Sequence, residues 1–175
     1  MRQCLFVLGA RGQLAALAPL LDMAQQSGLR HMVWGAGQDR PSVSKRLIRM
    51  PKTLHDCFRH VNSVKLWTGK RPLVVVHGNS LSTLLGALAG RWGGGDIVHL
   101  DSGQGSGSLF RPFPEELIRR QIFRQARYAI CCDDEAAQRM AGYSGCIVVN
   151  TMTNSPISGD EASRAAVETL RRWAS

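Results

Sequence analysis

Six short apolar runs set the limits on how this chain can fold: Cys4–Leu8, His31–Trp34, Leu73–Val76, Ile97–Leu100, Tyr128–Cys132 and Cys146–Val149. Each has strand length, and several are continuous rather than alternating. Continuous apolar strands belong to sheets covered on both faces, which are mostly parallel. Helical spacing fills most of the gaps. Leu14, Leu17, Leu21 and Ala24 share one face of a first helix, in which Pro19 implies a kink or a late start. Leu54, Phe58, Val61 and Val64 mark a second amphipathic helix. Ser80 is a natural N-cap for Leu81–Trp92, and Glu115–Arg127 and Glu135–Ala141 give two more helices. Ser158-x-x-Glu161 has the capping-box pattern and opens a last helix reaching Trp173. The alternation predicts an α/β fold: a doubly wound, Rossmann-like parallel sheet of about six strands, in one domain over residues 1–175.

At 175 residues the chain can bury roughly 70% of its unfolded surface, so its core needs no disulfide or metal. Its five cysteines, Cys4, Cys57, Cys131, Cys132 and Cys146, show no metal-ligand spacing, and no metal or cofactor is expected. Four of them lie in apolar runs as small buried hydrophobes, which suits a reducing, cytoplasmic compartment. Arg11 interrupts the apolar start, so the amino terminus reads as a strand rather than a signal peptide. No apolar run approaches the ~20 residues of a membrane span. The net charge of +9 is concentrated between Arg40 and Arg71, where nine basic residues face one acid, Asp56. Such a surface favours phosphate-bearing or acidic partners. Nucleic acid is not expected, because stacking aromatics are few and no nucleic-acid motif is present.

In an open parallel sheet, ligands gather beyond the carboxyl ends of the strands. That rule selects Gly9–Gly12, Gly35–Asp39, His77–Ser80, Asp101–Gly107 and Asp133, with Pro114–Arg120 following the glycine-rich stretch. At His77-Gly78-Asn79-Ser80 a plain helix cap and an anion-binding turn are both open readings. Asp101, at a strand tip, fits an acid or base and a loop-pinning residue equally. Glu115 and Arg119, four apart, share a helix face: either a surface ion pair, or a carboxylate held by a guanidinium over the sheet edge.

Taken together, His77-Gly78-Asn79-Ser80-x-x-Thr83, His99-Leu100-Asp101-Ser102-Gly103 and Pro112-Phe113-Pro114-Glu115-Glu116-x-x-Arg119 resemble three signature segments of the non-hydrolysing UDP-N-acetylglucosamine 2-epimerases. They occur in the family's order and at matching intervals. Gly9-Ala10-Arg11 and Leu17-Ala18-Pro19-Leu20 are similar to its opening turn and first helix. The match covers most of residues 4–150, with a deletion between Gln38 and Leu54.

The resemblance implies the first of two Rossmann-like halves in a GT-B-like fold, with a UDP-sugar in the cleft between them. The family removes the C2 proton of the sugar, eliminates UDP and re-adds it from the other face. By position, Glu115 matches a catalytic glutamate, Asp101 a second catalytic carboxylate and Asn79 a catalytic aspartate. Arg11, His77 and Arg119 fall on substrate-binding positions. The departures are specific: Asn79 cannot carry a proton, Asp101 is one methylene shorter than the family's glutamate, and Gln104-Gly105-Ser106-Gly107 replaces a stretch holding a cation. The family's second half, with its uridine pocket and catalytic histidine, finds no counterpart before Ser175. Two expectations follow. One is an epimerase half active only with a second chain; the other is a non-catalytic sugar-nucleotide-binding or scaffolding subunit in polysaccharide biosynthesis or a split glycosyltransferase. In either case the edge carrying Gly103–Phe113 is expected to pair with a second protein chain or a second copy.

Overall fold

The architecture comes from a computed structural model, which describes residues 1–8, 11–35, 47–49, 55–56, 59–62, 69–103, 114–154 and 156–175. Its elements are β1 (Cys4–Leu8), α1 (Arg11–Gln26), β2 (His31–Gly35), β3 (Leu47–Arg49), β4 (Leu73–His77), α2 (Leu81–Trp92), β5 (Asp96–Leu100), α3 (Glu115–Gln125), β6 (Ala126–Cys131), α4 (Asp134–Ala141), β7 (Ile147–Asn150) and α5 (Asp160–Ala174). The strands form one parallel sheet in the order β3-β2-β1-β4-β5-β6-β7. The order reverses between β1 and β4, as in a doubly wound fold.

The continuous apolar runs are what two-sided burial requires. Phe6, Leu8, Val75, Val98, Leu100 and Ile130 point to one face, where Leu17, Leu20 and Leu21 of α1 and Ala166, Val167 and Leu170 of α5 cover them. Leu5, Val7, Val74, Val76 and Ile97 point to the other and meet Ala87 and Ala89 of α2, Ile122 of α3 and Val61. Residues 55–56 and 59–62 are helical, in keeping with the second amphipathic helix; Leu54, Phe58 and Val64 lie outside the described residues. Cys4, Cys131 and Cys132 are buried, and burial pushes the thiols of Cys4 and Cys131 up to about 12. They act as apolar filler. Cys57 lies outside the described residues.

Several details differ from the sequence reading. A seventh strand, β3, is present, only three residues long and set in the basic stretch. The first helix starts at Arg11 and carries Pro19 inside it, so the start is not late. The last helix has Gly159 as its N-cap, with no side-chain capping bond, so Ser158 does not form the capping box. Within the same turn the Ser163 hydroxyl donates to the Ile157 carbonyl at 2.6 Å.

The amino edge of the sheet is tied by charge. Asp96, 4% exposed, opens β5 and pairs with Arg2, while Arg71 and Arg127 stand 3.7 and 3.8 Å from its other oxygen. At the carboxyl edge, Gly103 has φ +80°, and a Cβ there would sit 2.2 Å from the Ala136 carbonyl oxygen of α4. Gly145 has a similar φ of +79° with open space around it. Gly103→Ala should therefore lower unfolding stability by about 3 kcal/mol or more, from backbone strain plus overpacking. Gly145→Ala should lose only about 1 kcal/mol. Urea titrations of the two variants measure the contrast, and equal losses would contradict the close approach.

Candidate functional site

Beyond the carboxyl ends of β4 and β5 lies a cavity of about 220 Å³, lined by His77, Gly78, Asn79, His99, Asp101, Arg119, Phe123 and Pro156. It sits one strand away from the crevice where the strand order reverses. Three separate segments build it. The first is the turn from β4 into α2. Gly78, at φ +80°, lets the chain double back, and Ser80 caps α2 by accepting the Thr83 N–H at 3.2 Å. The amide of Gln13, near the start of α1, donates to the His77 carbonyl at 2.8 Å and fixes this turn from across the crevice. A Cβ on Gly78 would meet that amide nitrogen at 2.6 Å.

The second segment follows β5. Asp101 adopts φ 48°, a left-handed conformation that aspartate tolerates better than most residues. Both its carboxylate oxygens accept the Ile157 N–H, each at 3.1 Å, and the His77 Nε2–H donates to it at 3.3 Å. Beside them His99 is 2% exposed, and its Nε2–H donates to the Gly78 carbonyl at 3.2 Å. Burial holds the His99 ring neutral, pulling its pKa down to about 4. The third segment is α3, which contributes Arg119 and Phe123; Phe123 meets the His99 ring edge to face at 5.0 Å.

Four of the six residues singled out from sequence therefore face one cavity: His77, Asn79, Asp101 and Arg119. Glu115 does not join them. It is exposed at the start of α3, and the expected Glu115–Arg119 pair is replaced by Arg119–Glu116 at 2.6 Å. Glu116 is 4% exposed and also faces Arg120 at 3.5 Å. The reason is geometric: residues three and four apart both meet on a helix, and the pair that forms is the one turned inward. Arg11 opens α1, but its side chain lies outside what is described, as do residues 9–10, 36–46 and 104–113. Asp133, at the tip of β6, caps α4 by accepting the Ala136 N–H at 2.7 Å, and that bond lowers its pKa. Among the described residues, no group of acidic, histidine and cysteine side chains is placed to hold a metal ion.

Sequence reasoning missed Glu116, Gln13, Phe123 and the Ile157 N–H. Glu116 stood one residue from the expected carboxylate. The contact between Asp101 and residue 157 has no local signature.

No protein-family model and no curated protein matches the sequence. Solved structures do. A Staphylococcus aureus MnaA co-structure with UDP is 24% identical over 86% of this chain and 45% of its own, with a TM-score of 0.67. The Neisseria meningitidis UDP-GlcNAc 2-epimerase bound to UDP-GlcNAc is 20% identical over 97% of this chain and 50% of its own, at 0.70. The Methanocaldococcus jannaschii epimerase is 18% identical over 98% and 52%, at 0.64. The chain has the fold of half a UDP-N-acetylglucosamine 2-epimerase. It spans about half the length of these epimerases, consistent with the amino-terminal half that the motifs indicated.

Within this half-epimerase fold, the neutral burial of His99 makes stability depend on pH. The unfolded ring takes a proton near pH 6.5 and the folded one only near 4, so between those values the unfolded state binds more protons. Stability should be fully present above about pH 6.5 and fall on acidification, by up to about 1.4 kcal/mol per pH unit. Urea unfolding from about pH 5 to 7.5 measures this slope. His99→Gln should flatten it; an unchanged slope would show that His99 is not its source.

Proposed function

We propose that this chain is the sugar-nucleotide-binding half of a UDP-N-acetylhexosamine 2-epimerase-type protein, with an acid–base set too incomplete for turnover by itself. The observation that carries this reading is the convergence of His77, Asn79, Asp101 and Arg119 on one cavity at the carboxyl edge. In a doubly wound sheet that edge is where phosphate-bearing ligands bind. The neighbours' own ligands, UDP and UDP-GlcNAc, support the same class of substrate.

Epimerisation at C2 by elimination needs a group to take the proton, a group to return one on the opposite face, and donors for the leaving diphosphate. Arg119 is the natural donor here, and Glu116 holds its guanidinium in place. Asn79 contributes an amide that orients a hydroxyl or carbonyl but moves no proton. Asp101 is occupied by the Ile157 N–H and His77. Glu115 stands outside the cavity's lining. Losing one general acid or base typically lowers a rate by about 10²–10⁴-fold.

A second wall supplied by another chain or a second copy would complete the cleft, docking at the edge that carries Gly103–Phe113, of which residues 104–113 lie outside the described residues. The free, buried cysteines favour a cytoplasmic setting. Among the described residues no helix is long and apolar enough to cross a membrane. A non-catalytic role in a polysaccharide-assembly complex is the second reading, favoured by Asn79 and by the engagement of Arg119 with Glu116.

Isothermal titration calorimetry with UDP-N-acetylglucosamine should show binding, and Arg119→Ala should weaken it by about 10–100-fold, the loss of a charge-assisted bond. Incubation in heavy water should leave C2 of the recovered sugar nucleotide free of deuterium. Absence of binding would overturn the sugar-nucleotide reading. Deuterium at C2 would overturn the incomplete acid–base set.

A further inference from the structure

We propose that the outer face of α2, flanked by α3, is a self-association surface: two copies of this chain pack α2 against α2, antiparallel, about a two-fold axis. This inference does not rest on the sugar-nucleotide reading and does not use the edge carrying Gly103–Phe113.

α2 is apolar on both sides. Leu81–Trp92 holds a single charged residue, Arg91. The side that meets the sheet is built of small residues: Thr83, Gly86, Ala87, Ala89 and Gly90. A Cβ on Gly86 would lie 2.5 Å from the Val7 side chain, and one on Gly90 would lie 2.7 Å from that of Ile97. The helix is thus seated too close to the sheet for larger residues, and its large side chains occupy the opposite side. Leu81, Leu85, Leu88 and Trp92 fall within about 60° of one another around the helix axis. Leu81 is 60% and Trp92 58% exposed, with Leu85 and Leu88 half-buried between them. A surface helix ordinarily turns such a stripe inward and polar residues outward. On the neighbouring helix α3, Leu117 is exposed as well, while Leu84, Ile118 and Ile122 belong to the apolar layer beneath the two helices. Three of the six large hydrophobics exposed among the described residues therefore lie on this one surface. Apolar area gathered in this way marks an interaction site.

A second copy fits the stripe because its spacing reads the same in both directions: four, three, four. An isologous contact requires residue i of one copy to meet j of the other, and j to meet i. Turned antiparallel about a point between Gly86 and Ala87, the stripe meets that condition. Leu81 faces Trp92 of the second copy, and Leu85 faces Leu88. The same spacing suits helices crossing at about 20°. Charge agrees with the orientation. α2 and α3 follow successive parallel strands and run the same way, with Glu115 exposed at their amino end and Arg91 and Arg124 exposed at their carboxyl end. Antiparallel packing sets the arginines of each copy over the glutamate of the other and opposes the helix dipoles. Helices of 12 and 11 residues side by side present a face about 18 Å long and about 20 Å wide. Two such faces bury on the order of 1,000 Å² together, the lower bound for a specific contact, so the dimer is reversible.

Sedimentation velocity from low- to high-micromolar protein should show the 19.2 kDa chain passing to twice that mass. Trp92→Glu, at an exposed position outside the cavity, should weaken dimerisation by about 30-fold or more. Disulfide trapping reads the register, with the unaltered protein as baseline. Leu81→Cys and Trp92→Cys chains, mixed and mildly oxidised, should cross-link to each other. Neither should cross-link to itself, because equivalent positions lie at opposite ends of the seam, beyond the reach of a disulfide. If Trp92→Glu does not fold, the cross-linking carries the test alone. A chain that stays monomeric at every concentration overturns the proposal, as does a dimer that Trp92→Glu leaves intact. Cross-linking of Leu81→Cys to itself, without the mixed product, overturns the antiparallel pairing and the proposal with it.

Discussion

Much of the carboxyl edge depends on one donor serving two acceptors: the Ile157 N–H given to both oxygens of Asp101. Three non-glycine residues among those described adopt left-handed backbone, Asp101, Met152 and Asn154, and they occupy the two ends of this tie. Such conformations are held only where the surroundings over-determine them. Here the surroundings are explicit. The Asn150 side chain accepts the Met152 N–H at 2.9 Å, the Thr151 N–H donates to the Cys131 carbonyl at 2.8 Å, and the Asn154 N–H donates to the Cys132 carbonyl at 3.0 Å. The connection after β7 is thereby laced across the tips of β6 and β5, and Pro156 becomes part of the cavity wall.

Packing carries that tie into the core. Ile157 is buried in the same apolar layer as Ala166, Val167 and Leu170 of α5 and Leu17 and Leu21 of α1. The segment that shapes the cavity is thus continuous with the helix that covers one face of the sheet. Interiors are close-packed and deform little, so a shift at Pro156 would be felt along α5. Trp173, near the end of that helix, stacks on Tyr128 of β6 with ring centroids 4.4 Å apart.

The sheet was legible in the sequence because two-sided burial writes itself as uninterrupted apolar runs, and the boundaries of the six expected strands differ from the observed ones by at most two residues. β3 was not, since three residues inside a basic stretch leave no apolar signature. Local helix chemistry was half legible. Ser80 caps α2 as its position implies, whereas Gly159, not Ser158, is the N-cap of α5 and no side chain caps that helix. At the site, the residue types stood in recognisable segments, but their partners did not. His77 and Asp101 are 24 residues apart and Asp101 and Ile157 are 56 apart, distances at which periodicity says nothing. Glu116 rather than Glu115 meets Arg119, a choice made by burial that spacing alone leaves open.

The cluster at the opposite edge has a consequence of another kind. Asp96 meets guanidinium groups that precede β1, precede β4 and lie within β6, so one carboxylate gathers the amino ends of four neighbouring strands. Three cations for one anion is redundancy in one direction only. Arg71 and Arg127, half-exposed and without a hydrogen bond to the carboxylate, can each drift to another residue, whereas loss of Arg2 would leave the buried acid without its bonded partner and loss of the aspartate would leave three like charges crowded together. Sequence drift at that end should thus be lopsided, with the two outer arginines replaceable and the Arg2–Asp96 pair retained. The other end of the sheet, where ligand chemistry resides, is left to diverge on a foundation that does not depend on it.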